Sequence, residues 1–237
     1  MKLVGERRAL AAAILGFYGL VYAMLAVLGL VGEMSNALYA LAFCYGLAFF
    51  GLVAGYFWAR WFAVGIGLFG VIQGAVGLWQ LGMEPQVLFI GATHLFATAA
   101  LWGSAMSVPY DGQTAWREKF HMDENAVLRL GRSVMRAGVS LPFVLLYAFA
   151  PKPDDATLVV SLLALGLAVG GLRALVQMKT WGVLALGGAG VLLAGVATAH
   201  AAEGVLALPP MIAGLLLLAA TAPFASPIAR SLARRAV

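Results

Sequence analysis

The sequence predicts an all-α integral membrane protein, an eight-span helical bundle built from two similar four-helix halves in parallel orientation. Three observations carry that expectation. Hydrophobic residues make up 63% of the chain and charged residues only 11%, against roughly 25% charged in a soluble domain. Apolar runs of about 20 residues recur along the whole chain, the length a helix needs to cross a hydrocarbon core of about 30 Å. A single polar stretch, Pro109 to Arg136, separates four such runs from four more. A closed β-barrel needs short alternating segments, whereas Leu10–Val31 and Val205–Ala222 are apolar all round, which excludes it.

Taken in order, the spans are expected at Ala9–Val31, Ala37–Ala59, Trp61–Leu81, Val87–Ser107, Val134–Ala150, Thr157–Gln177, Trp181–Ala201 and Val205–Phe224. The basic start (Lys2, Arg7, Arg8) imitates a signal peptide, but an apolar run of about 22 residues exceeds the usual core of about 7–15, so it reads as a retained first helix. Short punctuated turns connect the rest. Ser35 or Asn36, and Asp154 or Asp155, are the expected N-caps of the spans they precede. Pro209-Pro210 and Pro223 are expected to bend or end the last span. The lone Cys44 excludes an intrachain disulfide and reads as a small core residue.

Charge orients the bundle. With eight spans and a cytoplasmic N-terminus, every Lys and Arg except Lys152 falls on one side, which leaves 14 of the 15 inside. That is a strong positive-inside signature. The acids divide evenly, and each outer loop holds at least one: Glu33, Glu84, Asp154 with Asp155, and Glu203. The expected location is therefore the cytoplasmic (inner) membrane, with both termini and the 109–133 segment cytoplasmic. A pI near 9.6 would also suit a nucleic-acid binder, but topology accounts for the cations and no nucleic-acid partner is expected.

The two halves align at an offset of 120 residues. Gly46-Leu47-Ala48 falls on Gly166-Leu167-Ala168, Gly51-Leu52 on Gly171-Leu172, Trp61 on Trp181, and Gly70-Val71 on Gly190-Val191. Four spans per unit makes such repeats parallel, since inverted repeats need an odd number. The chain then divides into a membrane half at 1–108, an amphipathic connector at 109–133 and a second membrane half at 134–237. In the connector, Trp116 lies beside Arg117 and Lys119, as in a segment resting on headgroups. A helix is expected from Asp123 into the fifth span. Its Arg129, Arg132, Ser133, Arg136 and Ser140 share one face, and Val127, Leu130, Val134 and Leu141 the other. These cations are read as contacts to lipid headgroups, or to an acidic partner.

Chemistry-bearing residues are few. Gly70, Gln73, Gly77, Gln80 and Glu84 follow the helical period, so the third span has a polar, small-residue face that points into protein. Gln80 aligns with His200, and His94 enters the fourth span from the same side. A cluster of Gln73, Gln80, Glu84, His94, His200 and Glu203 is the candidate ligand site. Three uses compete for it: interhelical hydrogen bonding, a site for a small solute or cation, and ligation of haem b by His94 and His200. No Asp, Glu or Lys lies mid-span, which disfavours an ion-coupled pump. There is no catalytic serine motif, zinc-protease motif or P-loop, so no catalytic or metal site is expected. Gly51-x-x-x-Gly55, Gly70-x-x-x-Gly74 and Gly166-x-x-x-Gly170 are expected to let helices approach closely.

The expected function is non-enzymatic: a structural or accessory subunit that packs against other membrane proteins, or against itself, in the bilayer. A small-solute transporter or channel is the alternative, and a haem- or quinone-linked redox subunit the third.

Overall fold

The computed structural model describes residues 3–30, 32–107, 118, 124–152, 154–202 and 207–235, and their side chains except at 107, 124, 126 and 225–235. The described chain is all-helical, with no strand. It divides into two compact units, Met1–His121 and Met122–Val237. The first unit holds α1 (Val4–Val27), α2 (Ser35–Ala54), α3 (Ala59–Leu81) and α4 (Pro85–Leu101). The second holds α5 (Glu124–Phe149), α6 (Asp155–Val176), α7 (Trp181–Ala202) and α8 (Leu208–Arg235).

Among the described residues, five helices are long and apolar enough to cross a membrane: α1, α2 with the 3-10 turn before it, α3, α6 and α7. The apolar stretches Pro85–Leu101 and Leu208–Phe224 are shorter. Each unit is a helical bundle of this membrane-embedded kind. Within each unit the helices close a ring, the first packing on the second, the second on the third, the third on the fourth and the fourth on the first. The two units thus share one order of neighbours.

Local chemistry sets the helix ends. Gly55 takes φ 75° after α2, and the N–H of Tyr56 returns to the Gly51 carbonyl at 3.1 Å. Gly51-x-x-x-Gly55 therefore ends a helix as much as it packs one. At α6 the Asp154 carboxylate accepts from the Thr157 N–H and hydroxyl, both at 2.7 Å, and is the cap. Ser35 does not cap α2: it is already inside the helix and its hydroxyl donates back to the Gly32 carbonyl at 2.8 Å. Helix α4 stops at Leu101 rather than Ser107, because Trp102 is extended and Gly103 has φ 103°.

Prolines behave differently from expectation in α8. Pro209 and Pro210 lie in its first turn, where no intrahelical N–H bond is lost. Pro223 does not end the helix, which runs on to Arg235. A proline leaves the carbonyl four residues earlier without its donor. That carbonyl belongs to Ala219, and the Arg136 guanidinium of α5 donates to it at 2.6 Å.

Glycines set the helix–helix distances. A Cβ on Gly74 would sit 2.6 Å from the Cα of Gly91, so α3 and α4 meet backbone to backbone. In the second unit a Cβ on Gly214 would sit 2.8 Å from the Ala194 nitrogen and 3.0 Å from the Gly190 carbonyl, which joins α7 to α8 in the same way. Gly166, by contrast, has open space beside it, and the close approach of α6 to α7 is made by Gly171 and Gly182.

Candidate functional site

The most polar buried constellation of the first unit is centred on His94, which is fully buried. Its Nδ1 lies 2.8 Å from the Ile90 carbonyl and its Nε2 lies 2.8 Å from the Tyr45 hydroxyl. A carbonyl can only accept, so Nδ1 carries the proton, Nε2 is the acceptor, and Tyr45 donates to it. The Tyr18 ring lies 4.2 Å from the imidazole, and Tyr45 meets it edge-on at 5.7 Å. Tyr22 packs on Tyr45 at 5.3 Å.

A second chain of bonds runs beside the first. The Thr93 hydroxyl donates to the Phe89 carbonyl at 2.7 Å, which uses its one hydrogen. Tyr18 must then donate to Thr93 across their 2.7 Å contact. Helices α1, α2 and α4 are joined through these side chains, and α3 contributes the absence of one. A Cβ on Gly70 would overlap the His94 ring, and a Cβ on Gly67 would overlap the Thr98 hydroxyl. The glycine-rich face of α3 is thus the recess that receives His94. Thr98 Oγ1 is buried with no hydrogen-bond partner.

The other candidate ligands are placed differently. Gln80 and Glu84 are exposed, and Gln73 is half-buried. His94 directs both nitrogens at Tyr45 and Ile90 rather than at those residues. His200 is half-buried in α7, in the other unit. It lies close enough to Asp154 to help hold that carboxyl below its usual range, although the bonds from Thr157 contribute more. Glu203 lies outside the described residues. Haem ligation by His94 would need its bond to Tyr45 broken. Among the described residues no group of three or more His, Cys, Asp or Glu is placed to hold a metal ion.

The cations have a use that spacing in the sequence did not disclose. The Arg7 guanidinium donates to the carbonyls of Ala99, Ala100 and Trp102 at 3.3, 2.9 and 2.5 Å. Arg60 donates to Leu101 and Gly103 at 3.0 and 2.7 Å. Both close the C-terminus of α4. Arg8 closes that of α2 through Leu52 and Val53, both at 2.7 Å. Lys152 donates to the Tyr147 and Ala150 carbonyls at the end of α5, and burial pulls its pKa down. A helix C-terminus offers four unpaired carbonyls and a partial negative charge, so a cation there is doubly favoured.

Of the α5 cations, Arg132 is exposed, Arg129 half-buried, and Arg136 half-buried on the Ala219 carbonyl. Val127, Leu130, Val134 and Leu141 of the apolar face are buried, and so are Ser133 and Ser140 of the other. Ser140 satisfies itself on the Ala137 carbonyl at 3.0 Å, which lets it leave the polar face. Trp116, Arg117 and Lys119 lie outside the described residues.

Searches against family models, curated proteins and solved structures returned no match for this chain.

Proposed function

We propose that this protein is a non-enzymatic structural or accessory subunit of the cytoplasmic (inner) membrane, with both termini and the 109–133 segment on the cytoplasmic side. One observation carries the reading: the buried His94 and the cation contacts among the described residues serve the protein's own helices. Arg7, Arg8, Arg60, Arg136 and Lys152 each bind helix carbonyls, and His94 is closed between Tyr45 and Ile90. What faces outward is large and apolar, including Leu20, Phe43 and Phe50 in the first unit and Leu184 and Val191 in the second. Such faces suit lipid tails or the helices of a neighbouring membrane protein.

The capping pattern also fits the charge bias. The C-termini of α2 and α4 are met by arginines from the starts of α1 and α3, so those cations collect at one end of the unit. Lys152, the exception to the bias, caps a helix that ends on the opposite side in this topology.

The test is the native mass of the protein after gentle detergent extraction from its own membrane. Stoichiometric co-migration with other polypeptides is expected. Migration alone, at 24.8 kDa or as a homo-oligomer, would argue for the transporter alternative, and uptake assays on Gln73→Leu and Gln80→Leu would follow.

A further inference from the structure

We propose that the first unit carries a proton-operated switch at the Tyr45–His94 hydrogen bond. A proton taken up from water at His94 Nε2 turns the Tyr45 hydroxyl out of its donor role and loosens the junction of α1, α2 and α4.

The geometry leaves one place for the proton. Nδ1 already holds a hydrogen and gives it to the Ile90 carbonyl. Nε2 holds the one free lone pair of the ring, and the Tyr45 hydroxyl donates to it at 2.8 Å. Protonation makes Nε2 a donor as well, so two donors would face each other across that distance. Tyr45 must then accept through its oxygen and turn its own hydrogen away from the imidazole, on the side where the Tyr22 ring packs on it at 5.3 Å. No bond between heavy atoms forms or breaks.

The new charge finds little compensation. The groups facing the ring are Tyr18 and Tyr22 of α1, Tyr45 of α2, Gly70 of α3, and Ile90 and Thr93 of α4 itself, all neutral at ordinary pH. The tilted Tyr18 ring offers a cation only a partial contact. A buried cation without a counter-charge favours any opening that admits water. The second unit supplies an internal control. There Gly190, the counterpart of Gly70 at the 120-residue offset, meets Leu218, which cannot take up a proton.

Cys44 is the reporter. It is the only cysteine in the chain, precedes Tyr45 in α2, and is 1% exposed. The full-length protein in detergent micelles is treated with dithiodipyridine, a thiol reagent that works in acid. Rates are divided by those of the unfolded chain at the same pH. The wild type is expected to react roughly tenfold faster at about pH 5 than at about pH 7.5, as the junction opens locally. His94→Gln is expected to give a flat profile. In Tyr45→Phe the charged ring loses its acceptor, a stronger bond than the one the neutral ring loses, so the rise is expected to begin at lower pH. A flat wild-type profile, or an unchanged one in His94→Gln, overturns the proposal. If His94→Gln does not fold, Tyr45→Phe decides: an unmoved midpoint overturns the switch.

Discussion

The two units share a ring of four helices and differ in what fills it. In the first, the recess at Gly70 receives an imidazole held by a tyrosine and a carbonyl. In the second, the matching glycine, Gly190, receives Leu218. Tyr45 of the first unit corresponds at the same offset to Leu165 of the second. One backbone arrangement thus accepts either a polar or an aliphatic filling, and the glycine seams rather than the chemistry of the filling define it. The difference shows that a four-helix ring of this order forms around either filling.

The seams offer the hardest test of that view. Gly74→Ala and Gly214→Ala place a methyl against backbone that cannot yield, and each should cost about 1–3 kcal/mol. Denaturation in micelles should show similar losses for the two. A large effect in one unit alone would break the equivalence.

The filling is tested next. His94→Leu makes the first unit resemble the second but takes from the buried Tyr45 hydroxyl its His94 acceptor, a loss of about 1–3 kcal/mol. Adding Tyr45→Phe removes both partners, and most of the loss should return. If the double variant is as unstable as the sum of the single ones, His94 has a structural role beyond this bond.

Arg136 sharpens the comparison from the other side. Arg136→Met strips the Ala219 carbonyl of its donor, at about 1.5–3 kcal/mol for a charged hydrogen bond. Pro223→Ala returns an N–H four residues along, so the same arginine change should cost clearly less in that background. Equal costs in both backgrounds would show that proline and arginine are not coupled. No such device is needed at α4, which simply ends at Leu101 under Arg7 and Arg60.

The smallest expected effect is at Asp154. Its carboxyl is held below the usual range chiefly by the bonds from Thr157. A depressed folded-state pKa contributes stability that is present above the unfolded value and lost as pH falls through the folded one. Asp154→Ala should therefore lower the thermal midpoint slightly at neutral pH. The gap to wild type should close below about pH 4.

Much of the fold could be read from the chain because the bilayer leaves few choices. Apolar runs near 20 residues must be helices, and the eight long helices among the described residues fall where those runs lie. The helix rising from the polar connector into the fifth apolar run was legible from its amphipathic spacing, and Cys44 from its apolar surroundings. The candidate site was legible only in part. His94 stood out as an intramembrane ionisable residue, but Gln80 and Glu84 share its interest on paper and are exposed in the fold. Tyr18 and Tyr45 carried no signal, because tyrosines in membrane helices are ordinary and only packing brings two of them to one ring.

By itself the sequence determined the helical class, the membrane environment, the eight long helices of the described residues and the expected orientation, since these depend on the length and polarity of single segments. Only the tertiary structure decided which carbonyl each cation closes, why the helix passes through Pro223, and where His94 sends its two nitrogens. Apart from the local bonds of Lys152 and of His94 Nδ1, those outcomes depend on groups 41 to 95 residues apart in the chain, and no local pattern records which of them will meet.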